Sequence, residues 1–391
     1  MVKIEHNVRY QGGPSKSEMQ RRWKLAMEFM REQGLDYLVA QANDGILCEK
    51  VRWFAELRSA HYCYLLFDKD GGMTMISHGA AGGKAIPFDV GLTNNISVPV
   101  FNNACYADSF AADKAVEIMR RRGCKKIGFL NLNLITVGFY QNLLKGLPGV
   151  DSVDATDAFD YLVAVKSEEE LRLLQEACDL HAAAANAIPA LIYAGRMERE
   201  FGADLYRLAM LMGADEYLSN LCVNSARLVG PMFGLHYQNK IINDGDAVNI
   251  LFEVPTLAGY YADLHRYYNV GQPAPEMLEV IAGAIKLQDE LAALCKPGVR
   301  ASDIFVACND WLGKNGFGPE IRLCGHGQGY GLVERPYFDA HDDMVLRENM
   351  YLAIHPTVAK NGASVAPSDN YVVTKDGARR MTRYTRELVV I

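Results

Sequence analysis

The chain has 391 residues, 47 acidic against 40 basic side chains, a formal charge of −7 and half of its residues hydrophobic. With a sequence pI near 5.8 it carries no basic field to draw in phosphates, which argues against nucleic acid or an anionic membrane as partner and leaves a small molecule as the expected ligand. The length suits two domains, each able to bury a core. The nine cysteines, Cys48, Cys63, Cys105, Cys124, Cys178, Cys222, Cys295, Cys308 and Cys324, are scattered, odd in number and without CxxC pairing. They are expected to be reduced, small core side chains of a cytoplasmic protein. The N-terminal MVKIEHNVRYQGGPSKSEMQ lacks the apolar core of a signal peptide, and no run approaches the ~20 apolar residues of a membrane span.

In chain order, a first helix is predicted from Ser15. Ser15 and Glu18 have capping-box spacing, Met19, Trp23, Met27 and Met30 share a face, and Gly34 stops the run. Short apolar strands follow at Asp36 to Ala40, Tyr62 to Phe67, Met73 to Ile76 and Lys125 to Leu130, with an amphipathic helix near Asp113 to Arg122. Strands alternating with helices make residues 1–160 a smaller α/β domain.

Residues 161–391 read as a second domain. Ser167, with Glu170 three residues on, caps a long helix, and further helices are predicted near Glu198 to Met212 and Pro275 to Leu294. The runs VNILFEV, YYADLHRYYNV, MYLAIHPTV, NYVVTKDG and RELVVI succeed one another with little helix between them, the mark of antiparallel sheet, so the domain is α+β.

Nine histidines carry the functional question. His6, His61, His78, His181 and His341 stand singly and are read as surface or structural. His236 in GPMFGLHYQN, His265 in GYYADLHRYY, His326 in CGHGQGYG and His355 in YLAIHPTV lie among glycine, proline and aromatic residues, where strand ends and turns present functional side chains.

Taken in order, the VAVKSEEELRLLQEA helix, His236 before Asp244-Gly245-Asp246, PTLAGYYADLHR, the KPGV turn, CGHGQGYG, LAIHP and VVTKDG resemble the pita-bread family of methionine aminopeptidase, aminopeptidase P, prolidase and creatinase. The resemblance implies an α+β pita-bread catalytic domain behind a smaller α/β domain, as in creatinase and prolidase. It also implies a homodimer in which the partner's N-terminal domain completes the site. The family's metallopeptidases hold two metals through two aspartates, one histidine and two glutamates. Carried over by position, these fall on Phe252, Asp263, His326, His355 and about Ser368, beside Asp369.

Two of the five positions have lost their donor and a third has changed type, so ordinary dinuclear peptidase activity is not expected. The preferred reading is a creatinase-like enzyme without cofactor that hydrolyses a C–N bond of a small, carboxylate-bearing, non-peptide molecule. In it, His236 and His326 are the catalytic residues, His236 being suited to proton transfer by a pKa near neutrality. His265, His355, Phe252 and Tyr260 line the pocket, Arg335 orients a substrate carboxylate, and Tyr62 and Tyr64, with Arg58 as a weaker candidate, form an aromatic clamp. In the alternative, Asp263, His326 and His355 hold one divalent transition metal in a lyase, decarboxylase or hydrolase. A catalytically inactive binding module is the third reading.

Overall fold

The computed structural model describes residues 13–42, 49–55, 63–78, 91–98, 100, 104, 106–215, 220–230 and 239–391. The chain divides into two compact units, Met1–Val163 and Ala164–Ile391.

The first unit is built on β1 (Tyr37–Ala42), β2 (Cys63–Asp68), β3 (Met73–His78), β4 (Asn94–Val98), β5 (Lys126–Phe129) and β6 (Asp151–Asp154), in the sheet order β4-β3-β2-β1-β5-β6. Its helices are α1 (Lys16–Gln33), α2 (Glu49–Ala55), α3 (Ala107–Arg121), α4 (Val137–Gly146) and α5 (Thr156–Ala164). β1 pairs antiparallel with β2 and parallel with β5, and every residue of YLVAQA is buried, as a strand covered on both faces requires. Ala111, Ala112, Ala115, Val116 and Met119 of α3 pack with Val39, Ile127, Phe129 and Phe139.

α1 starts and stops where its sequence signals it. Ser15 Oγ accepts from the Glu18 amide at 3.2 Å, and Gly34 ends the helix at φ 65°, a conformation that costs glycine nothing. The capping box, however, is only half built. The Glu18 carboxylate turns to Arg21 and Arg22 at 2.8–2.9 Å, because three charge-assisted bonds outweigh one to a backbone amide. α3 also begins at Ala107 rather than near Asp113, since the alanine-rich ADSFAA segment forms helix readily.

The second unit opens with α6 (Glu168–Ala187) and α7 (Glu198–Leu211), then β7 (Asn220–Ala226), β8 (Ala247–Glu253) and β9 (Leu264–Asn269). After α8 (Pro275–Leu294) and α9 (Ala301–Lys314) come β10 (Gly325–Gly327), β11 (Glu334–Tyr337), β12 (Tyr351–Ile354), β13 (Val358–Lys360), β14 (Ala363–Val365), β15 (Asp369–Thr374), β16 (Gly377–Arg380) and β17 (Val389–Val390). Two sheets result, β17-β9-β8-β7 and β11-β10-β12-β15-β16, with β13 and β14 as a separate hairpin. Only β17 joins in parallel, on β9; the other pairings of these sheets are antiparallel. A bridge between His265 and Ser368 links the two sheets.

The Ser167–Glu170 capping box of α6 is complete, with bonds of 3.1 and 2.8 Å. Leu180 and Ala184 of α6 and Phe201 and Leu205 of α7 pack on Val248, Ile250, Phe252 and Leu264, so one face of the four-stranded sheet is core. Strand alternation puts Asn249, Glu253, His265 and Tyr267 on the other face. Burying a side chain such as Phe252 contributes about 2 kcal/mol. From α8, buried Gln288 donates to Ile354 O at 2.7 Å and Pro367 O at 3.1 Å, tying the chain just before His355 to the chain just before Ser368. α9, β10, β11 and the β13–β14 hairpin have no counterpart in the periodicity, because their segments are short or mix glycine and proline into the pattern. No helix among the described residues is long and apolar enough to cross a membrane.

Candidate metal centre

Three elements bring Asp263, His326 and His355 together. Asp263 immediately precedes β9, His326 is the middle residue of β10, and His355 directly follows β12. Register pairs β10 with β12, Gly325 opposite Ile354 and His326 opposite Ala353, and the His355 amide donates to Cys324 O at 3.0 Å. The two imidazole centroids stand 5.0 Å apart at 60°. One donor atom from each of Asp263, His326 and His355 lies within 4.8 Å of the others, and all three residues are buried. Among the described residues this is the one group of three or more such donors.

Hydrogen bonding aims these groups. His326 Nδ1 lies 2.8 Å from Gly327 O; a carbonyl can only accept, so Nδ1 carries the proton and the Nε2 lone pair is left for a ligand. The Asp263 amide donates to Asn370 Oδ1 at 2.7 Å, and Asn370 Nδ2 donates to Gln328 Oε1 at 2.9 Å. A single asparagine thus couples the Asp263 backbone to the turn that follows His326. Among the described residues, Asp263 Oδ1 and Ser368 Oγ are buried polar atoms without a hydrogen-bond partner, the kind of group that a metal ligand presents.

Burial dominates the electrostatics. It pushes His326 down to about 4, with Arg322 adding to the effect and the Gly327 carbonyl opposing it. It pushes His355 well below its ordinary value, assisted by His326 and Arg322. Both rings are therefore neutral at pH 7, as ligation requires. Burial raises the Asp263 carboxyl to about 6; Ser368 and Glu253 beside it pull it down, Asp369 pushes it up and Arg266 pulls it down. The carboxyl is still mostly ionised at pH 7. Two neutral imidazoles and a carboxylate, water-excluded and mutually within ligating reach, fit a divalent transition metal.

The other residues singled out in the sequence are placed differently. Phe252 is a core residue, its ring edge-on to His181 with centroids 4.7 Å apart, and it does not line the pocket. The residue after it, Glu253, takes the Asp263 face and perturbs that carboxyl; alternation along β8 was the signal that could have found it. His265 shares this face but stands outside the donor cluster, because its Nε2 is bound by Asn249 Oδ1 and lies 3.2 Å from the Tyr267 hydroxyl. Asp369 is held by Arg266 and Arg380. The Arg335 guanidinium, expected to orient a carboxylate, is gripped by Asp342. Tyr260 stacks on Tyr330 at 4.4 Å and donates to Glu170 at 3.3 Å. Tyr64 stacks on Phe139 at 3.8 Å and donates to Asp108 at 2.7 Å, both within the first unit. His236, Tyr62 and Arg58 lie outside the described residues.

Residues 172–375, which enclose all three donors, match the family model of metallopeptidase family M24. The chain belongs to that family. An Xaa-Pro dipeptidase of Pyrococcus horikoshii is 27% identical over 271 residues, 68% of this chain and 76% of the relative. A probable dipeptidase, PepE, of Mycobacterium tuberculosis is 28% identical over 247 residues, 62% and 65% of the two chains. Among solved structures, the Xaa-Pro dipeptidase from Bacillus anthracis superposes with a TM-score of 0.78 at 21% identity, over 95% of this chain and all of that one. The X-Pro aminopeptidase from Thermotoga maritima gives 0.81 at 18% identity, over 94% and 99%. The fold is therefore the pita-bread fold with a smaller N-terminal domain.

These relatives correct the functional expectation. They are dipeptidases and an aminopeptidase of a metallopeptidase family, so a creatinase-like, metal-free hydrolase of non-peptide C–N bonds is overturned. The lyase, decarboxylase and inactive-module readings find no support in them either. The expectation of no cofactor falls with the family match, and the discounting of metallopeptidase activity falls with it. Taken one at a time, the ligand positions look eroded. Folding instead gathers the surviving donors, with the changed residue His355 among them, into one buried cluster.

Proposed function

We propose that this chain is a metal-dependent peptidase that cleaves the peptide bond of dipeptides, with Asp263, His326 and His355 holding the metal. The buried convergence of these three donors, inside the segment that matches the metallopeptidase family, carries the reading. The names of the dipeptidase relatives supply the substrate class. A divalent ion in such a setting supplies Lewis-acid polarisation of a peptide carbonyl and acidification of water.

The chain's own residues do the rest. The Gly327 carbonyl fixes the His326 tautomer, Asn370 and Gln328 hold Asp263 in register with the His326 turn, and Gln288 fixes the chain before His355. The test is metal analysis of the purified protein, chelation, reloading with manganese, cobalt or zinc, and assay on a panel of Xaa-Pro and other dipeptides. Dipeptide cleavage that disappears on chelation and returns on reloading is expected. Asp263→Ala and His355→Ala should each weaken metal binding at least about 100-fold, since even indirect support of a metal ligand is worth 10- to 100-fold. A reloaded protein that cleaves no dipeptide, or cleavage indifferent to chelation, refutes the reading.

A further inference from the structure

The β15–β16 hairpin, at the edge of the five-stranded sheet, frames a cleft with the last turn of α8. Its volume is about 390 Å³, within the ~300–1,000 Å³ of small-molecule pockets. None of the residues lining it belongs to the cluster of Asp263, His326 and His355. Thr374 Oγ1 closes the hairpin turn by donating to Gly377 O at 2.6 Å. The turn sits directly on the helix end, since a Cβ on Gly377 would lie 3.4 Å from both Ala292 O and Ala293 O.

The sheet side of the cleft offers donors. Tyr371 and Arg380 face each other across β15 and β16, which puts both side chains on one face of the sheet. Tyr371 is 2% exposed, and among the described residues neither its hydroxyl nor Arg380 Nε has a hydrogen-bond partner. Arg380 is nonetheless fixed, because Nη2 donates to Asp369 Oδ1 at 3.0 Å and to Tyr384 O. Native interiors rarely leave two donors of one cross-strand pair orphaned. The helix end and the turn offer acceptors. Cys295 N donates to Ala292 O at 3.3 Å and Lys296 N to Leu294 O at 2.9 Å, whereas the residue four beyond Ala293 is Pro297, which has no N–H for Ala293 O. Such a helix terminus carries partial negative charge. Two full charges of opposite sign also line the cleft: Arg379 and Asp376 are exposed, and among the described residues neither has an ion-pair partner. Asp289, the other acid there, is already held by Arg386 at 2.6 and 3.1 Å.

We infer that this cleft binds a free α-amino acid, its carboxylate toward Tyr371, Arg380 and Arg379 and its ammonium toward Ala293 O and Asp376. An uncapped amino acid carries both charges on groups attached to one carbon, which matches a cleft whose unused donors and acceptors lie on different sides. Hydrogen bonds to either charged end are of the stronger, charge-assisted kind. Free amino acids are also what the proposed dipeptidase would release, which makes the cleft a product site apart from the metal. The binding stands on the cleft itself and not on that reading.

The full chain, metal-loaded and again after chelation, is titrated calorimetrically with L-alanine, L-alaninamide and N-acetyl-L-alanine. L-Alanine should bind in both states, and the two capped forms, each lacking one charge, should bind at least about tenfold more weakly, the scale of one hydrogen bond to a charged group. Tyr371→Phe keeps the ring and removes the donor, and Asp376→Asn removes the exposed acid. Each should weaken alanine binding about tenfold while metal stoichiometry stays as in wild type. No binding of alanine by wild type, binding that vanishes on chelation, equal binding of alanine and its capped forms, or wild-type affinity in both variants overturns the inference. Alanine binding that survives chelation and falls in Tyr371→Phe, in a protein that cleaves no dipeptide, leaves the amino-acid cleft standing and the dipeptidase reading refuted. Metal-dependent dipeptide cleavage without alanine binding to the chelated protein does the reverse.

Discussion

Adding one methyl group at Gly327 tests the packing that aims His326. A Cβ there would lie 2.3 Å from Arg335 O, 2.7 Å from Arg335 C and 3.0 Å from Pro336 Cδ. The obstacle is the backbone of the neighbouring strand, which cannot swing aside as a flexible side chain would. Restoring ordinary contact takes a separation of β10 from β11 by roughly 1 Å, and overpacking of this kind costs about 2–3 kcal/mol. At roughly 2–4 °C per kcal/mol for a unit of this size, the unfolding midpoint of Gly327→Ala should fall by about 4–12 °C.

Because Gly327 adjoins His326 and supplies the carbonyl that fixes its tautomer, metal affinity should fall about 10- to 100-fold as well. Gly313 is the control. It lies in α9 with nothing within 4 Å of its would-be Cβ, so Gly313→Ala should stabilise by about 0.5–1 kcal/mol through helix propensity alone. Scanning calorimetry and metal titration of both variants decide the matter. A Gly327→Ala protein with wild-type midpoint and wild-type metal isotherm would show that β10 is not packed as described.

Two further outcomes follow from buried charge. Burial holds His181 at about 4, against an ordinary 6.5 and despite the Ala177 carbonyl that its Nδ1 meets. The unfolded chain therefore takes up a proton that the folded one resists, and stability present above pH 6.5 is lost as pH falls toward 4, by about 2 kcal/mol at pH 5 from this residue. Urea unfolding of metal-free protein at pH 7.5 and pH 5 should show that loss, and His181→Gln should reduce it by about that amount; an equal loss in both proteins rules His181 out as its source. Asp369, fully buried between Arg266 and Arg380, is the counter-charge of a buried arginine, so Asp369→Ala should cost about 3–5 kcal/mol. A calorimetric loss below 1 kcal/mol would contradict the burial of that arginine's charge.

Much of the fold was legible because its signals are local. The Ser167–Glu170 cap, the α8 periodicity and the stop at Gly34 each depend on residues within a turn or two of one another, and each recurs in the structure. The antiparallel character of the second unit was legible for the same reason, in apolar runs that follow one another without helices. The Glu18 carboxylate shows where locality ends. The spacing for a capping box is present, but two arginines on the same helix compete for the same oxygens and take them.

Through the order of its motifs, which resembles that of the pita-bread family, the chain offered Asp263, His326 and His355 as an alternative single-metal set. The same resemblance implied that the family's remaining carboxylate positions fall on Phe252 and about Ser368, beside Asp369. Tertiary structure alone decided what those facts mean. The register of β8 on β9 sends Phe252 into the core and Glu253 toward Asp263, Asn249 binds His265 Nε2, and Asp342 takes the guanidinium of Arg335. Motif spacing is written along one strand or turn, whereas which face a side chain takes, and which neighbour claims its hydrogen bonds, is settled only when strands distant in the chain pair in a particular register.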